Sequence, residues 1–339
     1  MQYISTRGGV SPVSFRDAAL AGLAGDGGLY VPETIPTLDL KPLGNLPYWE
    51  VAQAVMQPFC DLQPGDLERL CREAYGPGYG GEVAPLVSDP WGEQLELFHG
   101  PTYSFKDVAM QFLGRLLQLI LEERNEHCNL LVATSGDTGS AALRAVVGQS
   151  RLQAVVMFPK GRVSATQELQ MTTLLEPNTH CLEIEGTFDD CQAILKAINR
   201  DAEVKKQLHL GAVNSVNWAR LLAQSVYYVW IWLRTQRPLN VVVPTGNFGN
   251  FLASWLAVQM GVPARRLAIA TNENDIVHRY FESRSYRKGT VVETLAPAMD
   301  IQVASNLERF FYLAGGRDPQ KIKAWRSEER RVGKECRSR

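Results

Sequence analysis

The chain has six cysteines and five histidines among 339 residues, but it lacks any Cys-x-x-Cys pair and any Cys/His spacing suited to zinc. Cys60, Cys71, Cys128, Cys181, Cys191 and Cys336 are therefore expected to be reduced, mostly structural thiols. His99, His127, His180, His209 and His278 form no ligand cluster, so no catalytic metal is expected. Long apolar runs are also missing. The longest, LLAQSVYYVWIWL (Leu221 to Leu233), is interrupted by Gln224 and Ser225 and falls short of the roughly 20 residues needed to span a bilayer. It reads as a buried helix. The opening MQYISTRGG has no apolar core, so a secretory signal is not expected and the cytoplasm is the expected compartment. A formal net charge of −1 offers no broad basic field for nucleic acid. Neither the Walker pattern nor the GxGxxG dinucleotide fingerprint occurs, which makes a nucleotide-binding Rossmann protein a poor fit. What is present, 45% hydrophobic and 21% charged residues over this length, suffices for two packed cores.

Residues 1–90 read as an N-terminal subdomain, helical around Val13 to Ala24 and Trp49 to Phe59, with links rich in proline and glycine. Over 91–235 the strands LLVAT (Leu130 to Thr134), LQAVVMF (Leu152 to Phe158) and HCLEIEG (His180 to Gly186) are each followed by a helical pattern. Such alternation predicts a parallel sheet covered on both faces. Over 236–325, LNVVVP and RLAIATN supply two more strands around the helical FLASWLAVQM, the start of a second open α/β sheet. Ligands of such sheets bind beyond the carboxyl ends of the strands, and the cleft between the two sheets is the predicted active site.

Lys106 lies in HGPTYSFKD (His99 to Asp107), at a loop-to-helix junction. It follows Pro101 and the potential caps Thr102 and Ser104 and precedes the periodic Val108, Phe112, Leu116 and Ile120. A lysine at a helix start is ordinarily a solvated charge. Desolvated or set beside another cation, its amine can instead form an imine with an aldehyde. His99 is read as shaping this loop rather than as an acid or base.

Two glycine-rich turns change the balance. SGDTG (Ser135 to Gly139) and GNFGN (Gly246 to Asn250) each join a β-branched or apolar strand to a helix. Glycines let backbone N–H groups approach an anion, and a helix N-terminus adds about half a positive charge. One lysine and two such cradles suggest pyridoxal phosphate, the phosphorylated cofactor that uses an imine to lysine.

The segments HGPTYSFKD, ATSGDTGSAA, VNSVNWARLLAQ and PTGNFGN resemble those of threonine synthases in order and spacing. The likeness extends through STRGG, DGGLYVP, FDDCQAILK, ATNEND and AMDIQVASN. It implies a pyridoxal-phosphate enzyme of fold type II, an α/β architecture of two open, mostly parallel sheet domains with an N-terminal subdomain. It implies that Lys106 is catalytic and carries the cofactor, and that Gly246, Asn247, Phe248, Gly249 and Asn250 bind the cofactor's phosphate. Ser135, Gly136, Asp137, Thr138 and Gly139 would lie near the cofactor ring and the substrate carboxylate.

Asn214 and Ser215, with Asn217 and Arg220, are candidate polar groups of the site, the alternative for the Asn and Ser residues being helix capping. The implied reaction converts O-phospho-L-homoserine and water to L-threonine and phosphate, a β,γ-replacement that needs an extended electron sink. A second anion site is then required, with Lys160, Arg162, Ser164 and Thr166 of PKGRVSATQ as candidates, unless these form a solvated basic loop. Other fold type II lyases, a phospholyase or a threonine dehydratase, would use the same lysine and phosphate loop.

Residues 326–339 (RSEERRVGKECRSR) break from this pattern, with six Lys/Arg and three Glu in fourteen residues. They look like the translation of a sequencing-adapter oligonucleotide and read as a non-native tail. The resemblance then implies about a hundred further residues beyond Trp325, completing the second domain and supplying the partner of the pyridine nitrogen. A cofactor-binding fragment without turnover is a further alternative, which the truncated end favours. Oligomeric state is not legible.

Overall fold

The computed structural model describes residues 1–76, 79–211, 215–284 and 286–325; Asn214 and the 326–339 tail lie outside the described residues. The chain runs through β1 (Tyr3–Ser5), α1 (Phe15–Ala21), β2 (Tyr30–Pro32), α2 (Tyr48–Met56), α3 (Pro64–Tyr75), β3 (Leu86–Asp89) and β4 (Gly92–Leu95). It continues through α4 (Lys106–Arg124), β5 (Cys128–Ala133), α5 (Asp137–Val146), β6 (Leu152–Pro159), α6 (Ala165–Thr172), β7 (Thr179–Ile184) and α7 (Phe188–Arg200). Next come α8 (Ala202–Gln207), β8 (Leu210–Gly211), α9 (Trp218–Thr235), β9 (Leu239–Pro244), α10 (Gly249–Gln259), β10 (Ala264–Ala270), α11 (Ile276–Ser283) and α12 (Leu307–Ala314). No helix among the described residues is long and apolar enough to cross a membrane.

The contacts define two compact units. One comprises Met1–Ala18, Leu23–Gly44 and Ser215–Arg339, the other Ala19–Gly22 and Asn45–Asn214. Residues of the 1–90 segment thus contribute to both, and α9 groups with the chain that follows it.

In the unit that carries Lys106, four parallel strands lie in the order β7-β6-β5-β8. β5 begins two residues ahead of LLVAT because Cys128 and Asn129 already pair with Leu152 and Gln153. Its inward residues Cys128, Leu130 and Val132 are buried, as expected for a short apolar run in a parallel sheet. Cys191 of α7 packs on Ala133 and Met157, with Leu131, Ile184 and Leu195 around them. α7 starts on a full capping box, Thr187 and Asp190 each bonding the other's backbone.

α4 crosses α5 at backbone distance, since a Cβ on Gly114 would overlap the carbonyl of Ala145. The helix expected over Trp49 to Phe59 is α2 followed by a 3₁₀ turn, Gln57–Phe59. Pro58 accounts for the change, because its ring clashes with the preceding turn. α3 is an unforeseen element with Pro64 at its first position and Leu67, Leu70, Cys71 and Ala74 buried along one face.

In the other unit, β1 and β2 pair antiparallel, and Tyr3 sits 5.8 Å from the Phe15 ring and 5.9 Å from that of Trp218. β9 and β10 pair parallel, Val241 against Leu267 and Val243 against Ile269. α9 is the buried helix that its apolar run predicts, with Leu221, Leu222, Val226, Val229 and Leu233 all buried. α11 and α12 are further elements not expected from the sequence. Phe248, Phe251, Phe281 and Phe310 form an aromatic cluster beside α10, with centroid spacings from 4.9 to 6.5 Å.

Among the described residues, three helices end on a left-handed residue other than glycine: Asn125 after α4 (φ 51°), Gln236 after α9 (φ 52°) and Arg284 after α11 (φ 60°).

Candidate active site

Lys106 is the first residue of α4, preceded by Phe105 as a cap without a side-chain bond. Of the expected caps, Ser104 meets the first N–H of the helix and Thr102 does other work. The Thr102 backbone N–H and hydroxyl both donate to the Asp107 carboxylate at 2.8 Å, and Ser104 Oγ accepts from the Lys106 N–H at 3.3 Å. Asp107 is fully buried. Burial pushes its carboxyl up, and the bonds from Thr102 only partly offset that. Gly100 is required here because a Cβ would strike the Asp107 side chain. The loop is therefore wound around a carboxylate one residue from the lysine. Sequence reasoning did not single out Asp107, although its place after Lys106 in a first helical turn was a signal.

The Lys106 amine is 2.8 Å from Asp137 Oδ2, with only 12% of its side chain exposed. It also lies 5.0 Å from the centre of the Phe105 ring. The other Asp137 oxygen accepts from Gln167 Nε2 at 2.6 Å. Burial works against ionisation of Asp137, but the Lys106 charge and the bonds from Lys106 and Gln167 outweigh it and hold the carboxyl below its ordinary range. The SGDTG turn is built by Thr134, whose hydroxyl oxygen accepts from the N–H groups of Gly136 at 2.9 Å and Gly139 at 3.1 Å. Gly136 has φ +147°, and a Cβ there would run into Gln167. Ser135 is exposed and Thr138 half-buried at the start of α5.

α6 contributes two residues not anticipated as part of the site. Gln167 reaches Asp137, and Gln170 Nε2 donates to the Thr102 carbonyl at 3.1 Å. Their i,i+3 spacing, which puts both on one helix face, was the available signal. Ser164 caps α6 by accepting from the Gln167 N–H. Lys160 is 2.6 Å from Glu185 and about half exposed, and Arg162 and Thr166 are exposed. His99 is paired with Glu96 at 2.8 Å and stacks on Phe98.

In the unit with β9, Thr245 is anchored by its N–H to the Ala270 carbonyl and by its hydroxyl to the Val243 carbonyl, both at 2.8 Å. The chain then turns through Gly246, Asn247 and Phe248 into α10. Phe248 holds a left-handed backbone, φ 66°, with its ring buried among the neighbouring aromatics. Among the described residues, the N–H groups of Gly246, Asn247 and Phe248 have no hydrogen-bond acceptor. Such groups at a helix N-terminus form a receptor for an anion. A Cβ on Gly246 would come within 2.9 Å of Ile301. The Asn250 side-chain Oδ1 accepts from the hydroxyls of both Tyr227 and Tyr228. Asn217 caps α9 through the Ala219 N–H, as the capping alternative expected. Arg220 is buried, which pulls its guanidinium down to about 10.

Residues 94–317 match the family model described as pyridoxal-phosphate dependent enzyme, and the chain is a pyridoxal-phosphate-dependent enzyme with the α/β architecture of fold type II. Residues 2–75 match a second model, threonine synthase N terminus. A threonine synthase of Pseudomonas aeruginosa is 46% identical over 331 residues, covering 95% of this chain and 71% of that protein. The threonine synthase of Schizosaccharomyces pombe is 44% identical over 349 residues, covering 93% of this chain and 67% of the relative. The crystal structure of pyridoxal-phosphate-bound threonine synthase from Brucella melitensis superposes with a TM-score of 0.92 at 45% identity, over 96% of this chain and 72% of that one. The chain belongs to the threonine synthase family.

Proposed function

We propose that the chain converts O-phospho-L-homoserine and water to L-threonine and inorganic phosphate, with Lys106 bonding the cofactor and moving protons at the substrate's Cα and then its Cβ. The observation that carries this reading is the nearly enclosed Lys106 amine, 2.8 Å from the carboxylate of the SGDTG turn, in a member of the threonine synthase family. The bound cofactor supplies the electron sink that a carbanion at Cα and then at Cβ requires.

Lys106 accepts a proton only when neutral. Asp137, ionised and held low by its neighbours, orients the amine and does not itself keep a proton. The slight exposure of Lys106 limits water around its amine.

The three open N–H groups of Gly246, Asn247 and Phe248, with Gly249 and Asn250 opening α10, fit the cofactor's phosphate. Ser135, Gly136, Asp137 and Thr138 stand at the N-terminus of α5, which suits a substrate carboxylate. Lys160 and Arg162 are the basic side chains proposed for the substrate's phosphate, Lys160 exchanging its Glu185 partner for it. Ser215 remains a polar candidate on the segment leading into α9, and Asn214 lies outside the described residues.

The test is to record absorbance with pyridoxal phosphate and to assay phosphate and threonine from O-phosphohomoserine. Wild type should show a lysine-dependent band and equal amounts of both products; Lys106→Ala should lose the band and at least about a thousandfold of turnover. Formation of 2-oxobutyrate in place of threonine would instead indicate a phospholyase or dehydratase, and a folded protein without the band would remove Lys106 from its role.

A further inference from the structure

We propose that Asn306 and Arg309, at the start of α12, are positioning residues that set the shape of the 246–250 loop and thereby its preference for a phosphorylated ligand. The inference rests on the reading of that loop as the cofactor's phosphate site. Asn306 is fully buried and every side of its amide is engaged. Its Nδ2 donates to the carbonyls of Asn247 at 3.2 Å and Ser215 at 3.0 Å, and its backbone N–H donates to Asn247 as well, at 3.0 Å. Ser305 adds a bond from its hydroxyl to Asn247 Oδ1 at 3.2 Å. One side chain therefore joins the middle of the GNFGN turn to Ser215, the other candidate segment of the same unit. Gly249 leans on the same amide, since a Cβ there would stand 3.3 Å from Asn306 Nδ2.

Arg309 fixes which way that amide faces. Its Nη1 donates to Asn306 Oδ1 at 2.6 Å, so the amide oxygen is committed to the guanidinium and the NH₂ is turned toward the two carbonyls. Its Nη2 donates to the Val216 carbonyl at 2.7 Å and its Nε to the Tyr30 carbonyl at 3.1 Å. This guanidinium is fully buried with three neutral oxygens as its hydrogen-bond acceptors, and burial pulls it down to about 9. Enclosing a cation whose hydrogen-bond acceptors are all neutral, with the Glu308 charge offsetting burial only in part, is a costly way to fill space, which apolar side chains would do better. What the charge provides is direction. A rigid fork fixes Asn306, and Asn306 fixes the carbonyl of Asn247 so that the neighbouring N–H groups face the other way, open to an anion.

The experiment compares pyridoxal 5′-phosphate with pyridoxal, which carries the same aldehyde but no phosphate, by titrating the lysine-dependent absorbance band of the full chain. The ratio of the two affinities reports the phosphate site alone. Asn306→Asp keeps the acceptor for Arg309 and removes the donor, turning a carboxylate oxygen toward two carbonyls. It should cut the ratio by about tenfold or more while pyridoxal affinity stays within about twofold of wild type. Arg309→Lys, which cannot span three acceptors, should act in the same direction. Where the carboxylate variant does not fold, as judged by circular dichroism, Asn306→Ser takes its place with the same expectation. A folded variant at 306 with an unchanged ratio overturns the inference. Gly246→Val separates the two levels: if it leaves the ratio unchanged, the loop is not the phosphate site and both readings fail. If it collapses the ratio while the 306 variants do not, only the positioning role fails.

Discussion

Lys106 shares the Asp137 carboxylate with Gln167, so the lysine, the SGDTG turn and α6 meet at one charged group. The carboxyl is held below its ordinary value of 3.8. A depressed carboxyl contributes stability that is present above its unfolded value and is lost as pH falls through its folded one. Wild type should therefore lose thermal stability on acidification through that window, and Asp137→Asn should show a flatter dependence between about pH 5 and pH 2. A variant with the same acid limb as wild type would mean that the pair contributes nothing to folding. The lysine itself was legible, because a loop rich in turn residues ends at Lys106 and a helical period begins there. Its partner was not. Thirty-one positions separate Lys106 from Asp137, and their meeting depends on how α4 and α5 pack, which no local pattern states. One of the two expected caps misled for a related reason: Thr102 serves a buried carboxylate, Asp107, in preference to a helix end.

α4 and α5 are brought together by the absence of a side chain at Gly114. A methyl group there meets a carbonyl oxygen, which cannot turn aside, so the helices must separate. Gly114→Ala should destabilise the fold by about 3 kcal/mol, read from chemical denaturation, despite alanine's better helix propensity. A neutral or stabilising result would show that the crossing has room to move. Among the elements, β5, β6 and the apolar α9 were legible because burial writes itself as a continuous apolar run, whereas β7, β9 and β10 were legible from their apolar and β-branched composition although residues such as Leu182 and Val242 are exposed. The β3–β4 hairpin was not, since its short strands carry mixed residues and its turn depends on Asp89 accepting from the N–H groups of Trp91 and Gly92. α12 escaped notice although the segment just before it, AMDIQVASN, was part of the family likeness. The significance of Asn306 and Arg309 lies in contacts with Tyr30, Ser215, Val216 and Asn247, all remote in sequence.

For the whole molecule, the α/β class was legible from alternation, whereas the grouping into two units was not, because each unit draws on separated stretches of the chain. The chain spans 67% and 71% of the length of the S. pombe and P. aeruginosa relatives. A ligand that binds only the folded state stabilises it by mass action, so pyridoxal phosphate at about a hundred times its dissociation constant should add roughly 2.7 kcal/mol. A rise of several degrees in the thermal midpoint is expected, smaller in Lys106→Ala; no shift in wild type would contradict cofactor binding by the folded chain. The helix ends supply a different kind of margin. Gln236 and Arg284 occupy a backbone region that favours glycine, and replacing each by glycine should raise stability by about 0.5 kcal/mol. Those two positions are a reserve on which later change can draw: a lineage or a designer could relax them first, then accept a destabilising substitution near Lys106 that would otherwise unfold the protein.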